Sequence, residues 1–165
     1  MCRDPELAAL DRRLAEVFGL AMENLSAAPN AREEIATFRA YQRGWISGRD
    51  DCWKAEDLRA CVRDAYRVRI AALEAEFRLV EPEGTVFWAC EGNQANEFVT
   101  TLFPTDPPSA RVERGDGTET FFLVPAASGA RYEGPFGRSF WMKGDSALVV
   151  WPEGSSWRCA ERMRR

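Results

Sequence analysis

The sequence predicts an α+β protein in which an N-terminal three-helix antiparallel bundle, residues 1–80, precedes a small eight-stranded antiparallel β-barrel, residues 81–165. Three observations carry this. Apolar residues recur at three- and four-residue steps through three segments up to Phe77, as on one face of a helix. Glu81-Pro-Glu-Gly84 then supplies proline and glycine where a helix must stop. Beyond it the pattern alternates with period two, in eight short stretches parted by turn residues, as in a closed sheet.

The first helix is expected over residues 5–25, with Leu7, Leu10, Leu14, Val17, Phe18, Ala21 and Leu25 on one face and Asp4-Pro5 at its start. Ala27-Ala-Pro29 interrupts it. Asn30 followed by Glu33 resembles a capped entry to a second helix carrying Ile35, Phe38, Tyr41, Trp45 and Ile46, which ends near Gly48-Arg-Asp-Asp-Cys52. A third helix runs from about Glu56 to Phe77, with Leu58, Val62, Tyr66, Ile70, Leu73 and Phe77 on one side. Short links between them favour an antiparallel bundle. Strands are expected at 85–90, 96–103, 110–114, 118–124, 128–133, 137–143, 147–151 and 156–160, with turns such as Gly115-Asp-Gly117, Gly134-Pro135, Gly144-Asp145 and Pro152-Glu-Gly154 between them.

Composition narrows the function. The chain has no histidine, which removes the commonest general base and metal ligand together, so catalysis is disfavoured and no metal or cofactor is expected. A glycosidase would need a carboxylate pair, for which Glu133 and Asp145 are the nearest candidates. The formal charge is −4, and no basic stripe interleaved with aromatics points to nucleic acid. Residues 81–161 hold six basic against twelve acidic side chains, a net of −6, which suits a cationic partner. No apolar run is long enough for a membrane span.

Five cysteines without CxxC spacing read as disulfides of an exported protein. In an antiparallel bundle Cys2, Cys52 and Cys61 share one end; Cys52 with Cys61 is favoured, and spacing alone also permits Cys2 with Cys52. Cys90 in the first strand and Cys159 in the last are placed to clasp the barrel. The abrupt start at Met1-Cys2 carries no signal peptide, and the expectation is that an export signal precedes it, in a periplasmic or envelope-associated protein.

One stretch concentrates the candidate chemistry. Ser128-Gly129 stands before Arg131 and Tyr132, a glycine-rich turn reverses the chain, and Phe140-Trp141-Met142-Lys143 leads to Gly144-Asp145. Pairing the two arms would bring the Ser128 hydroxyl and the Lys143 ammonium to one end of a hairpin. Arg131 and Trp141 are supporting candidates at the same place.

Most of residues 1–77 resembles the N-terminal module of LprI-like envelope proteins, through Cys-x-Asp-Pro-Glu-Leu-Ala-Ala-Leu-Asp at 2–11, Gln42-x-x-Trp45, Arg49-Asp50-x-Cys52, and Cys61 leading to Tyr66-x-x-Arg69-Ile70-x-x-Leu73. That family usually has a further cysteine ahead of Cys2. Residues 83–161 resemble MliC, an inhibitor of C-type lysozyme, through Phe87-Trp-Ala-Cys90, Ser128-Gly-Ala-Arg-Tyr132, Phe140-Trp-Met-Lys-Gly-Asp145-x-Ala147 and Cys159. The resemblance implies that Ser128 and Lys143 enter the lysozyme cleft, with Gly129 and Tyr132 beside them, and that the partner is strongly basic. No lipobox is present. The competing reading is a non-catalytic module that binds another envelope protein or ligand.

Overall fold

The computed structural model describes residues 4–151 and 156–162; Cys2, whose pairing was left open, and the Pro152-Glu-Gly154 turn lie outside them. The chain separates into two compact units, the first ending at Leu79 and the second beginning at Val80.

Among the described residues of the first unit, three helices enclose one core: α1 (Pro5–Ser26), α2 (Ala31–Asp50) and α3 (Leu58–Glu76), with a 3-10 turn at Asp51–Lys54. Asp4 caps α1 through its carboxylate, which accepts from the Glu6 and Leu7 amides, and Pro5 follows where a missing N–H costs nothing. Asp57 caps α3, accepting from Ala60 N at 2.9 Å, so this helix starts two residues later than its apolar pattern suggested. The expected side-chain cap of α2 is absent: the Asn30 carbonyl, not its amide side chain, accepts from Glu33 N at 3.0 Å.

Leu14, Val17 and Ala21 of α1, Phe38 of α2, and Tyr66, Ile70 and Leu73 of α3 form the core. Phe38 stacks on Phe18 at 4.8 Å and meets Phe77 edge-on at 5.3 Å, both favoured ring geometries. The Tyr66 hydroxyl enters with its polarity satisfied, donating to Asp11 at 2.7 Å and accepting from Arg49 at 2.9 Å. Burial, and next the bond to Asp11, push its pKa up. Not every residue on the periodic faces goes inside: Tyr41 is 70% exposed and Leu58 53%, and Ile46 is exposed too. Three helices offer α2 and the start of α3 neighbours on only part of their apolar stripe.

The second unit is a closed antiparallel barrel of eight sequential strands among the described residues, β1 (Gly84–Cys90), β2 (Asn93–Phe103), β3 (Ser109–Arg114), β4 (Gly117–Val124), β5 (Ala130–Glu133), β6 (Ser139–Lys143), β7 (Ser146–Val150) and β8 (Ser156–Glu161), with β8 returning to β1. Closure leaves no unpaired edge for another chain to join. Alternation sends Trp88, Phe98, Val112, Phe121, Phe140 and Val149 inward. Trp88 donates its indole N–H to the buried Thr100 hydroxyl at 2.9 Å. Arg114 lies 4.0 Å above the Trp157 ring and Arg138 4.6 Å above that of Trp151, so two cations rest on the aromatic layer formed by Phe98, Trp151 and Trp157.

Both disulfides sit where the chain must be held. Cys52–Cys61 bridges the connection from α2 into α3, and Cys90–Cys159 joins directly opposed residues of β1 and β8 at the barrel seam.

Candidate functional site

β5 and β6 form the hairpin on which the candidate residues fall, and the register Ala130↔Met142, Arg131↔Trp141 and Tyr132↔Phe140 decides where each side chain goes. Phe140 and Met142 are buried in the core, so Trp141 and Lys143, one residue out of phase, face the outer wall. Tyr132 stands opposite Phe140 and goes inside, with 6% of its surface exposed. Burial, reinforced by the negative charge of Glu83, raises its pKa. Tyr132 is thus a core residue: the side chain that the resemblance places beside Ser128 and Lys143 lies under the hairpin and not on its outer wall.

Ser128 is not part of the strand. The ladder begins at Ala130, two residues later than expected, because Gly129 takes the left-handed φ of +68° that ends pairing. Only glycine fits there. A Cβ at Gly129 would stand 2.2 Å from the Met142 carbonyl oxygen and 3.0 Å from Lys143 Cγ. The bend is therefore pressed against the end of β6, and Ser128 is left exposed next to it.

Trp141 ties the parts together. Its indole N–H donates to the Ser128 carbonyl at 2.7 Å, and the Lys143 ammonium lies 3.7 Å from the centroid of its ring. One side chain thus holds the serine bend by a hydrogen bond and the lysine by a cation–π contact. The exposed Lys143 makes no ion pair among the described residues, while Arg131 is matched to Glu133 at 2.8 Å. That pairing also engages one of the two acids considered for a glycosidase.

Beside the hairpin the outer wall carries a depression of about 250 Å³, lined by Trp141, Lys143, Ser146, Leu148 and Arg158 among others. Leu148 and Arg158 extend the row outward from Trp141, paired in sequence across β6, β7 and β8. Sequence reading had passed over both. The period-two alternation of β7 and β8 places them on the outer face, but only the barrel register shows that they sit next to Trp141. At the hairpin's other end the expected Gly134-Pro135 turn is a 3-10 turn over Pro135–Gly137, in which Phe136 has φ +57° and is 87% exposed.

Residues 88–158 match the family model described as membrane-bound lysozyme-inhibitor of c-type lysozyme (MliC), and residues 1–74 the model described as lysozyme inhibitor LprI. The first match falls within the barrel unit and the second within the helical unit. The MliC match spans the whole of the site, from the seam residue Cys90 through Ser128 and Lys143 to Arg158. Both families are described as lysozyme inhibitors, and the chain has a family match to inhibitors in each half. Neither curated proteins nor solved structures gave a match. Among the described residues no helix is long and apolar enough to cross a membrane.

The Gly129 contact makes a prediction for the barrel. Gly129→Ala should carry about 1–2 kcal/mol for the left-handed backbone alone, with the Met142 clash added. The bend should move off β6 and take Ser128 with it. The barrel melting temperature is expected to fall by several degrees, and lysozyme inhibition to weaken at least about tenfold, the equivalent of 1.4 kcal/mol; unchanged inhibition would show that the position of the bend does not matter.

Proposed function

We propose that this chain is an inhibitor of C-type lysozyme in the cell envelope, in which the MliC domain presents Ser128 and Lys143 together to the catalytic carboxyls of the enzyme. Retaining glycosidases of the lysozyme type hold a protonated acid and an ionised carboxylate about 5 to 5.5 Å apart. Lys143 offers the carboxylate a compact ammonium with three donors, and the Ser128 hydroxyl can donate to or accept from the acid. The observation that carries the reading is the double hold of Trp141, at 2.7 Å on the Ser128 carbonyl and 3.7 Å from the Lys143 ammonium. Two mobile groups are thereby ordered before a partner arrives, which lowers the entropy lost on binding.

Charge supports the same reading at longer range. Residues 81–161 carry a net −6, so a basic enzyme is drawn toward them, while Lys143 supplies the local cation at the point of insertion. The protein acts by occlusion and carries out no reaction of its own. Arg131, bound to Glu133, keeps the wall beside Trp141 ordered.

Titrating the purified chain into a cell-wall lysis assay with C-type lysozyme is expected to abolish lysis near stoichiometric ratio, with inhibition weakening as salt rises from ~50 to ~500 mM. Lysis that persists at excess would leave the barrel as an interaction module for another envelope component.

A further inference from the structure

The LprI domain has a cleft of about 820 Å³ at the end where the Cys52–Cys61 bond lies. Leu7, Leu58 and Val62 give it an apolar floor, and Asp4, Asp50, Glu56 and Asp57 outnumber Arg49 and Arg59 among its charged lining residues. The two arginines are already engaged. Arg59 reaches Asp4 at 2.7 Å and Glu6 at 2.5 Å, and Arg49 reaches Asp50 at 2.6 Å and the Tyr66 hydroxyl at 2.9 Å. The Arg59 bonds, with that of the Leu7 amide, hold the Asp4 carboxyl below its ordinary range. Glu56 makes no ion pair among the described residues, so the negative charge of the rim is not cancelled from within.

Apolar groups stand out beside that charge. Leu58 lines the cleft and is 53% exposed, and Trp53, in the 3-10 turn that leads to it, is 71% exposed. A disulfide closing nine residues and the Asp57 cap hold this connection in one shape. Rigid aromatic and aliphatic anchors inside a charged rim are the usual make-up of a protein-binding centre.

We infer that this cleft is a second lysozyme-docking surface, which takes a lysine or arginine of the enzyme between Asp50 and Glu56 while Leu58 and Trp53 pack on the apolar surface around it. The inference rests on the proposed lysozyme-inhibitor function and gives the helices a direct part in it. Charge complementarity selects the occupant: an acidic rim that has spent its own arginines favours a strongly basic protein over an acidic or neutral one.

The test uses the whole chain and hen-egg-type lysozyme in isothermal calorimetry at low and moderate salt, with circular dichroism to confirm that each variant keeps its helices. Lys143→Glu removes the barrel contribution. That variant is expected to retain lysozyme binding, and adding Glu56→Arg with Leu58→Asp should raise its Kd by about tenfold or more. Glu56→Gln, a milder change, should shift it in the same direction. The inference is overturned if Lys143→Glu abolishes binding by itself, or if the rim changes leave the Kd of the Lys143→Glu chain as it was. Should Lys143→Glu bind as tightly as the native chain while the rim changes remove binding, the barrel reading fails and the cleft stands alone.

Discussion

Replacing Cys90 and Cys159 together by alanine is expected to lower the stability of the barrel by about 4 kcal/mol, the loop-entropy value for a bridge of this span. The two residues are 69 apart in sequence and directly opposed across the β1–β8 seam. The seam is also the barrel's longest-range pairing. Among the described residues three ladder pairs join β1 to β8, Trp88↔Glu161, Ala89↔Ala160 and Cys90↔Cys159, against seven between β1 and β2. A short ladder between the ends of the unit closes at the highest entropic cost, and the covalent bond removes most of that cost from the unfolded side. Both cysteines belong to the buried core and Cys159 stands opposite Ala147, so their loss also leaves space there.

Typical domains are stable by only about 5–15 kcal/mol, so this loss would bring a barrel of this size near its limit. Urea unfolding read by near-ultraviolet circular dichroism should show the barrel transition move to lower denaturant while the helical signal stays. By the same reasoning Cys52–Cys61, with a separation of nine, is worth about 2.5 kcal/mol. A barrel midpoint unchanged by the double substitution would mean that the hydrogen-bonded seam closes unaided.

Much of this architecture could be read before any coordinates, because it follows from period. The switch from helical spacing to alternation at Glu81-Pro-Glu-Gly84 lies within a few residues of the division between the two units. Eight alternating stretches close into eight strands, with ends shifted by one to three residues. The misses have local causes. Ser128 was read into a strand because serine and glycine precede an alternating run, and periodicity cannot register the left-handed φ that stops the ladder at Gly129. Tyr132 enters the candidate site only through the resemblance. Its alternation with Arg131 and Glu133 shows that it differs from them in side, but which side is the core depends on Phe140 across the hairpin. Tyr41 and Leu58 fit an apolar stripe that three helices are too few to cover.

The candidate site is legible in the sequence as residues and not as an arrangement. Ser128 and Lys143 were evident as a hydroxyl and an ammonium flanking one hairpin, yet nothing in their spacing shows that Trp141 contacts both. That contact is tertiary: the indole crosses from β6 to a bend outside the strand, over thirteen residues of sequence.

The largest expected functional effect follows from it. Lys143→Ala should weaken lysozyme inhibition by about 2 kcal/mol or more, the scale of a central interface anchor, and leave the fold intact because the ammonium touches only the outer face of Trp141. In the proposed arrangement, removing the cation would also leave the carboxylate of the enzyme facing a desolvated gap, adding to the loss. Ser128→Ala should cost less, about 1 kcal/mol for a neutral hydrogen bond, since the bend is held through the Ser128 carbonyl, which the substitution keeps. Trp141→Phe separates holding from contact. It keeps a ring beneath the lysine but removes the N–H that grips the bend, so it should behave like a partial loss of both groups. In a double-mutant cycle its effect should shrink when Lys143 is already alanine. Inhibition constants at two salt concentrations decide the matter. A Lys143→Ala chain that inhibits as well as the native one, with the same salt dependence, would show that the ammonium is not what enters the cleft.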